Sequence, residues 1–206
     1  MNKLNKIKKL LEKNYKFKGI NYVYFPKTNG ELKELIKSLI NKYGNEVDLN
    51  NIDTSNIIYF NKLFYSEFNF EGNVSYWDVS NGKEFESMFY YCVLFSNDLS
   101  NWDVSNSENF YKIFGECRSF NSNLSNWDVS NIINFNSMFL YCKNFNSDLS
   151  KWNVFNGINF KFMFAHCKKF NADLSNWNVS NAREWDGFTL GSLLKKYPER
   201  IPARFR

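Results

Sequence analysis

Histidine is nearly absent from this chain: His166 is the single one among 206 residues. That excludes a multi-histidine metal site and leaves most His-based catalysis one candidate. The four cysteines begin only at Cys92, so a lipid-attachment cysteine near the start is not expected. No pair has the Cys-x2–4-Cys spacing of a zinc site; every gap is 25 residues. Long apolar runs are missing as well. Around Lys9-Leu10-Leu11-Glu12 the hydrophobic stretch is far short of the roughly 7–15 residues of an export signal or the about 20 of a membrane span. The expectation is a cytoplasmic protein, with a cell-surface location as the alternative if a leader has been removed.

Aromatic residues are abundant. Apolar types make up 44% of the chain, with Phe 22, Tyr 12 and Trp 6, which is ample for a buried core and excludes an intrinsically disordered chain. A length of 206 residues fits one domain or one elongated array. Asparagine is over-represented, at 33 residues. Charge is uneven: residues 1–18 carry +6 and residues 195–206 carry +4, so with a total of +5 the body, 19–194, carries −5. An acidic body with two basic ends differs from a uniformly basic nucleic-acid domain.

The body is a 25-residue repeat. Trp77, Trp102, Trp127, Trp152 and Trp177 are each 25 apart, as are Cys92, Cys117, Cys142 and Cys167. Phe85, Phe110, Phe135 and Phe160 keep the same phase, and so do Phe95, Phe120, Phe145 and Phe170. Self-similarity at this period marks an array of stacked units. A degenerate first copy places Ile52 at the tryptophan position, and the pattern drifts after Trp185. Within a unit, Leu149, Trp152 and Val154 have the phase of a short buried strand ending in an asparagine turn. Phe160, Met163, Phe164 and Cys167, at i, i+3, i+4 and i+7, give one apolar face of a two-turn helix.

The expected fold is therefore an α/β solenoid: a leucine-rich-repeat-like stack of strand–turn–helix units with helical caps at both ends. Residues 1–51 form the N-terminal capping segment, 52–188 the repeats (about 5.5 units) and 189–206 the C-terminal cap and basic tail. Leu4, Ile7, Leu10 and Leu11 share one helical face. Thr28-x-x-Glu31 is a capping box opening a second helix with Leu32, Leu35, Ile36, Leu39 and Ile40. Trp185 to Tyr197, with Leu190, Leu193 and Leu194, is the second cap, before Pro198 and Pro202 end regular structure.

The units Asn101-Trp-Asp-Val-Ser-Asn106 and Phe145-Asn-Ser-Asp-Leu-Ser150, with Met138-Phe139 and Cys142 between, resemble the BspA-like leucine-rich-repeat family, in its 25-residue subtype found in bacterial surface lipoproteins. The resemblance covers about 52–188, with Lys27–Ile52 similar to the lead-in of such arrays. It implies a leucine-rich-repeat-like solenoid in a bacterial or phage protein, and adhesion or protein binding as its role. It implies no catalytic residues.

The repeated side chains have structural readings. Each cysteine falls on an apolar face, where a free thiol behaves as a small hydrophobe; a disulfide between stacked units and a metal site are the alternatives. The turn asparagines, Asn56, Asn81, Asn106, Asn131, Asn156 and Asn181, recur in every copy and read as an amide ladder satisfying backbone groups between units. Asp78, Asp103 and Asp128, continued by Asn153, form an outward row. Calcium binding, capping of nearby N–H groups and plain solvation are its three readings. His166 and Cys167 are helix neighbours that would point about 100° apart, against a Cys–His nucleophile.

Positions that break the repeat are the informative ones. Phe155 replaces the serine of other copies and is a candidate contact. Arg118, Lys143 and Lys168, with Lys169, make a basic row that reads as a solvated edge or a docking strip. The first segment, rich in Lys3, Lys6, Lys8, Lys9 and Lys13, reads as a capping helix rather than a membrane-surface helix. The function expected is a non-enzymatic, monomeric protein-binding scaffold. Its concrete form is an intracellular inhibitor or accessory factor that occludes a larger, nucleic-acid-handling protein. The alternative is a secreted or surface adhesin. Neither a cofactor, nor a metal, nor direct binding of nucleic acid or membrane is expected. The partner-binding candidates are Asp78, Asp103, Asp128, Asn153, Phe155, Arg118, Lys143 and Lys168.

Overall fold

Thr28 begins the one long helix among the described residues. Its hydroxyl accepts the Glu31 N–H at 3.2 Å while the Glu31 carboxylate accepts the Lys27 N–H at 2.9 Å, so two of the donors that a helix start leaves open are satisfied. The computed structural model describes residues 16–17 and 20–206. The expected first capping helix, with Leu4, Ile7, Leu10 and Leu11, lies outside the described residues. Two-residue strands β1 (Lys16–Phe17) and β2 (Ile20–Asn21) pair antiparallel and precede α1 (Asn29–Tyr43). Helix α1 buries Leu32, Ile36 and Leu39 and ends at Gly44, whose φ of 89° and N–H bond to the Ile40 carbonyl close the last turn.

The repeats contain neither the strands nor the helices that their spacing suggests. From Asp48 onward the described chain is a succession of tight turns, each 25-residue circuit forming one coil. In the coil around Trp127, Trp127 N–H returns to Leu124, Ile132 to Val129, Met138 to Phe135, Leu140 to Ser137 and Cys142 to Phe139, all three residues back. The alternating N–H groups leave the coil. Phe135, Ser137, Phe139 and Tyr141 donate to the carbonyls of Asn159, Lys161, Met163 and Ala165 in the next coil, at 2.8–3.0 Å.

Left-handed residues make this alternation possible. Ser137 and Tyr141 have φ of 56° and 60°, and Lys62, Ser66, Ser87, Tyr91, Lys112, Glu116, Phe162 and His166 fall at the same two positions of other coils. Gly187 and Gly191, both at φ 65°, continue the two rows. A right-handed helix cannot contain such residues. The outcome corrects the expected fold: this is not an α/β solenoid of strand–turn–helix units with helical caps at both ends. Strand character is reduced to single parallel bridges, Tyr59 to Glu84, Glu84 to Asn109, Asn109 to Asn134, Asn134 to Asn159 and Asn159 to Glu184. At the C-terminus the expected helix is replaced by three 3-10 turns, Leu194–Lys196, Pro198–Arg200 and Ala203–Phe205. Leu190 stays exposed, and the apolar end is covered by Phe188, Leu194, Ile201 and Phe205.

The inward positions themselves match the sequence pattern. Leu149, Trp152, Val154, Phe160, Met163, Phe164 and Cys167 are all buried. Phe64, Phe89, Phe114, Phe139 and Phe164 stack in a column at centroid spacings of 5.2–5.8 Å. A second column, Phe70 to Phe170, stands beside it at 5.7–6.0 Å. Each indole N–H reaches back one coil; that of Trp127 donates to the Leu99 carbonyl at 2.9 Å. Replacing Trp127 with Ala removes its rings from both neighbouring coils and takes one of two donors from that carbonyl, which keeps the Trp102 N–H. The expected loss is about 3–5 kcal/mol, read from chemical denaturation, and a loss near zero contradicts the stacking.

Candidate partner-binding surface

Each surface row begins with a turn. In Asx turns, a side-chain oxygen accepts the N–H two residues on, holding the chain where a helix would otherwise continue. Asp78 Oδ1 accepts the Ser80 N–H and hydroxyl at 3.1 and 2.7 Å, Asp103 the same groups of Ser105 at 3.0 and 2.7 Å, and Asp128 the Ser130 N–H at 3.0 Å. Asn153 accepts from Phe155 N–H at 3.3 Å. Of the three readings of the acidic row, N–H capping is present in the structure. A second row, missed in the sequence, does the same work: Asp98, Asn123, Asp148 and Asp173 accept from Ser100, Ser125, Ser150 and Ser175. Its signal was present, as Asp or Asn two residues before Ser in each copy.

The turn asparagines form the expected ladder. Asn81, Asn106, Asn131, Asn156 and Asn181 each donate their amide to the carbonyl 26 residues back, at 2.8–3.0 Å. These side chains lie at the surface. All but Asn81 line an open groove of about 840 Å³ with Ile133 and Ile158, which has Lys83 and Glu108 at one end and Arg183 and Arg204 at the other. Phe155 stands 43% exposed between the Asp row and this ladder. Arg204 Nη1 donates to the Ser180 carbonyl, the group that a further coil's asparagine would take, and Arg200 Nη1 to that of Asn171. Two of the C-terminal cations therefore close the last coil's edge.

The basic row lies on another side of the molecule. Arg118 pairs with the buried Glu116 at 3.1 Å, and Lys168 Nζ donates to the Gly191 carbonyl at 2.9 Å. Lys143 and Lys169 are exposed and make no ion pair among the described residues. The structure does not bring this row together with Phe155 and the Asp row. In the first two coils the same side carries aromatics instead: Tyr65 stacks on Tyr90 at 5.5 Å and Phe68 meets the edge of Tyr91 at 5.8 Å. Sequence reasoning missed this patch, because its positions change type from one copy to the next.

Cysteine and histidine are separated as their spacing implied. The four thiols are buried and free. Each donates to a carbonyl one coil back: Cys92 to Phe64, Cys117 to Phe89, Cys142 to Phe114 and Cys167 to Phe139, all at 2.9 Å. Burial pushes all four thiols well above the ordinary range. His166 instead lies flat on Tyr141, centroids 4.3 Å apart. Among the described residues, no three His, Cys, Asp or Glu side chains are grouped to hold a metal, and no helix is long and apolar enough to cross a membrane.

The buried thiols generate one test. Iodoacetamide at pH 8 is expected to leave all four cysteines unmodified in the folded protein and to alkylate all four in denaturant. Fast labelling of native protein contradicts the ladder. The Asx turns generate another. The Ser100, Ser150 and Ser175 N–H groups hold Asp98, Asp148 and Asp173 below the usual carboxylate range, and the Ser130 hydroxyl and N–H do so for Asp128. A lowered folded-state value adds stability above the unfolded pKa, about 3.9, that is lost as pH falls through the folded values. Melting temperature is expected to fall below about pH 4. Changing these four aspartates together to Asn, which other copies carry naturally, should flatten that limb; an unchanged acid limb refutes the assignment.

A family profile described as "Mycoplasma protein of unknown function, DUF285" matches residues 32–140 and 121–191. No curated protein and no solved structure matches the chain. The matched stretches begin in α1 and run through all the Trp-bearing coils, so the profile follows the stack itself, and the chain belongs to this DUF285 family.

Proposed function

We propose that this chain is a non-enzymatic scaffold that binds another protein. One observation carries the reading: a uniform backbone presents different side chains at one surface position, Phe68, Val93, Arg118, Lys143 and Lys168 in successive coils. The repeated residues are occupied elsewhere. Asp rows cap turns, the Asn ladder and Trp indoles bind carbonyls, and the thiols are sealed in the core. The single histidine lies against a tyrosine ring rather than beside a nucleophile. Resemblance to BspA-like repeats of surface lipoproteins supports binding in the same direction. An inhibitory or accessory role is one form of such docking, recognised by loss of the partner's activity when the chain is added in equal amount.

The test is affinity capture of partners from lysate and membrane fractions of the source cell, with and without nuclease. One protein retained in stoichiometric amount after nuclease treatment is the expected result. Retention of nucleic acid alone, or of nothing from any fraction, overturns the reading.

A further inference from the structure

The aromatic patch and the basic row are one surface. Backbone bonds join them coil by coil: Leu94 N–H to the Phe68 carbonyl, Ser119 to Val93 and Asn144 to Arg118. Along this side the first two coils place large apolar groups in water, with Tyr65 46%, Phe68 52% and Leu94 39% exposed. The later coils place Lys143, Lys168 and Lys169 there. In the inward columns Phe and Leu are fully buried, so the exposure of Phe68 and Leu94 is specific to these positions. Lys112 brings a cation to the aromatic half, its ammonium 5.2 Å from the Tyr90 ring and 4.9 Å from that of Tyr111.

We propose that this side is the docking face of the scaffold, and that its occupant is a segment of the partner protein with aromatic or aliphatic residues adjoining a run of carboxylates. The inference rests on the protein-binding reading above. Apolar side chains of the segment cover Tyr65, Phe68 and Leu94, and its carboxylates meet Lys143, Lys168 and Lys169. Exposed Tyr and Phe beside cations is the composition of interface anchors. A single-stranded nucleic acid is the other polyanion that uses rings and cations together. It fits less well, because the Tyr65–Tyr90 and Phe68–Tyr91 rings already occupy one another. The body of −5 over residues 19–194 also repels a long polyanion more than a short acidic segment.

Two variants test both halves of the face: Tyr65→Ser with Phe68→Ser, and Lys143→Glu with Lys169→Glu. All four side chains are exposed, and matching circular dichroism and melting curves confirm folding. Asp103→Asn, on the other row, is the control. The probe is a fluorescent peptide with Leu and Phe at one end and Asp and Glu at the other, used in both orders beside a Lys-for-acid version and oligo-dT of equal length. Full-length protein is expected to bind one of the acidic orders in preference to the Lys version and oligo-dT. Each double variant should weaken that binding about tenfold, the charge variant abolishing its salt dependence. No binding of either acidic order, or tighter binding of oligo-dT, overturns the proposal. Repeating the capture experiment with both variants separates the two readings. A partner retained by both leaves the scaffold standing and removes this face; no partner for the native chain removes the scaffold itself.

Discussion

Everything in this molecule depends on where alternate backbone N–H groups point. Between Phe135 and Tyr141, one N–H closes a turn in its own coil and the next crosses to a carbonyl of the following coil. Residues in the left-handed region at two fixed positions per coil produce that alternation. Such a conformation costs about 1–2 kcal/mol for a residue with a Cβ, and ten non-glycine residues carry it. The strain is offset only jointly, because each left-handed residue aims a bond that exists only if the next coil is present. Neighbouring coils therefore hold one another's strain, and the aromatic columns fix the spacing at which they do so.

Stacking raises a second constraint, which is what happens at the ends. Between Phe60 and Ser66, and at the same positions of later coils, the crossing N–H groups donate forward, so the first coil leaves carbonyls of this stretch open on its outer edge. Asn29, at the start of α1, donates to those of Tyr59 and Asn61 at 2.9 and 3.2 Å. At the other end Arg200 and Arg204 take carbonyls of the last coils. An unprotected edge of this kind is a template for pairing with another chain. Asn171 marks the termination: Asn121 and Asn146 each accept an N–H of the next coil, whereas the Asn171 oxygen is buried without a partner, because Lys196 N–H turns back to Leu193.

The register of the stack was legible in the sequence, and the backbone that realises it was not. Trp, Phe and Cys at intervals of 25 identify the inward positions, and all of those in the unit around Trp152 are buried. The same i, i+3, i+4, i+7 spacing predicts a helix, yet two successive tight turns place side chains inward at those intervals too. Periodicity reports which residues share a face, and a two-turn helix has little intrinsic stability to impose itself. The left-handed positions gave no warning, since they hold Lys, Ser, Tyr, Glu, Phe and His rather than glycine until Gly187 and Gly191. Only there does composition show the requirement, and at Gly187 an added Cβ would also collide with the Phe162 ring. On the surface, the Asn ladder followed from its recurrence, whereas for the aspartates capping was one of three readings left open. The aromatic patch did not follow, because a residue that appears once has no pattern to identify it.

That asymmetry separates what holds the chain together from what it offers to others. A side chain that recurs in every coil can be explained by its neighbours one coil away: Trp127 by the Leu99 carbonyl, Asn131 by Ser105, Cys142 by Phe114. Tyr65 and Phe68 touch Tyr90 and Tyr91 of the next coil yet stay about half exposed, and Leu94 is exposed as well. Their rings and methyls are left in water at positions where later coils carry Gly115, Arg118 and Ser119, and the backbone is the same in both cases. Since the fold tolerates small or charged residues there, stability does not require these apolar groups. Their presence beside Lys143 and Lys169, which make no ion pair among the described residues, is what the proposed partner would account for, and a stack with one chemically graded side is suited to meet one.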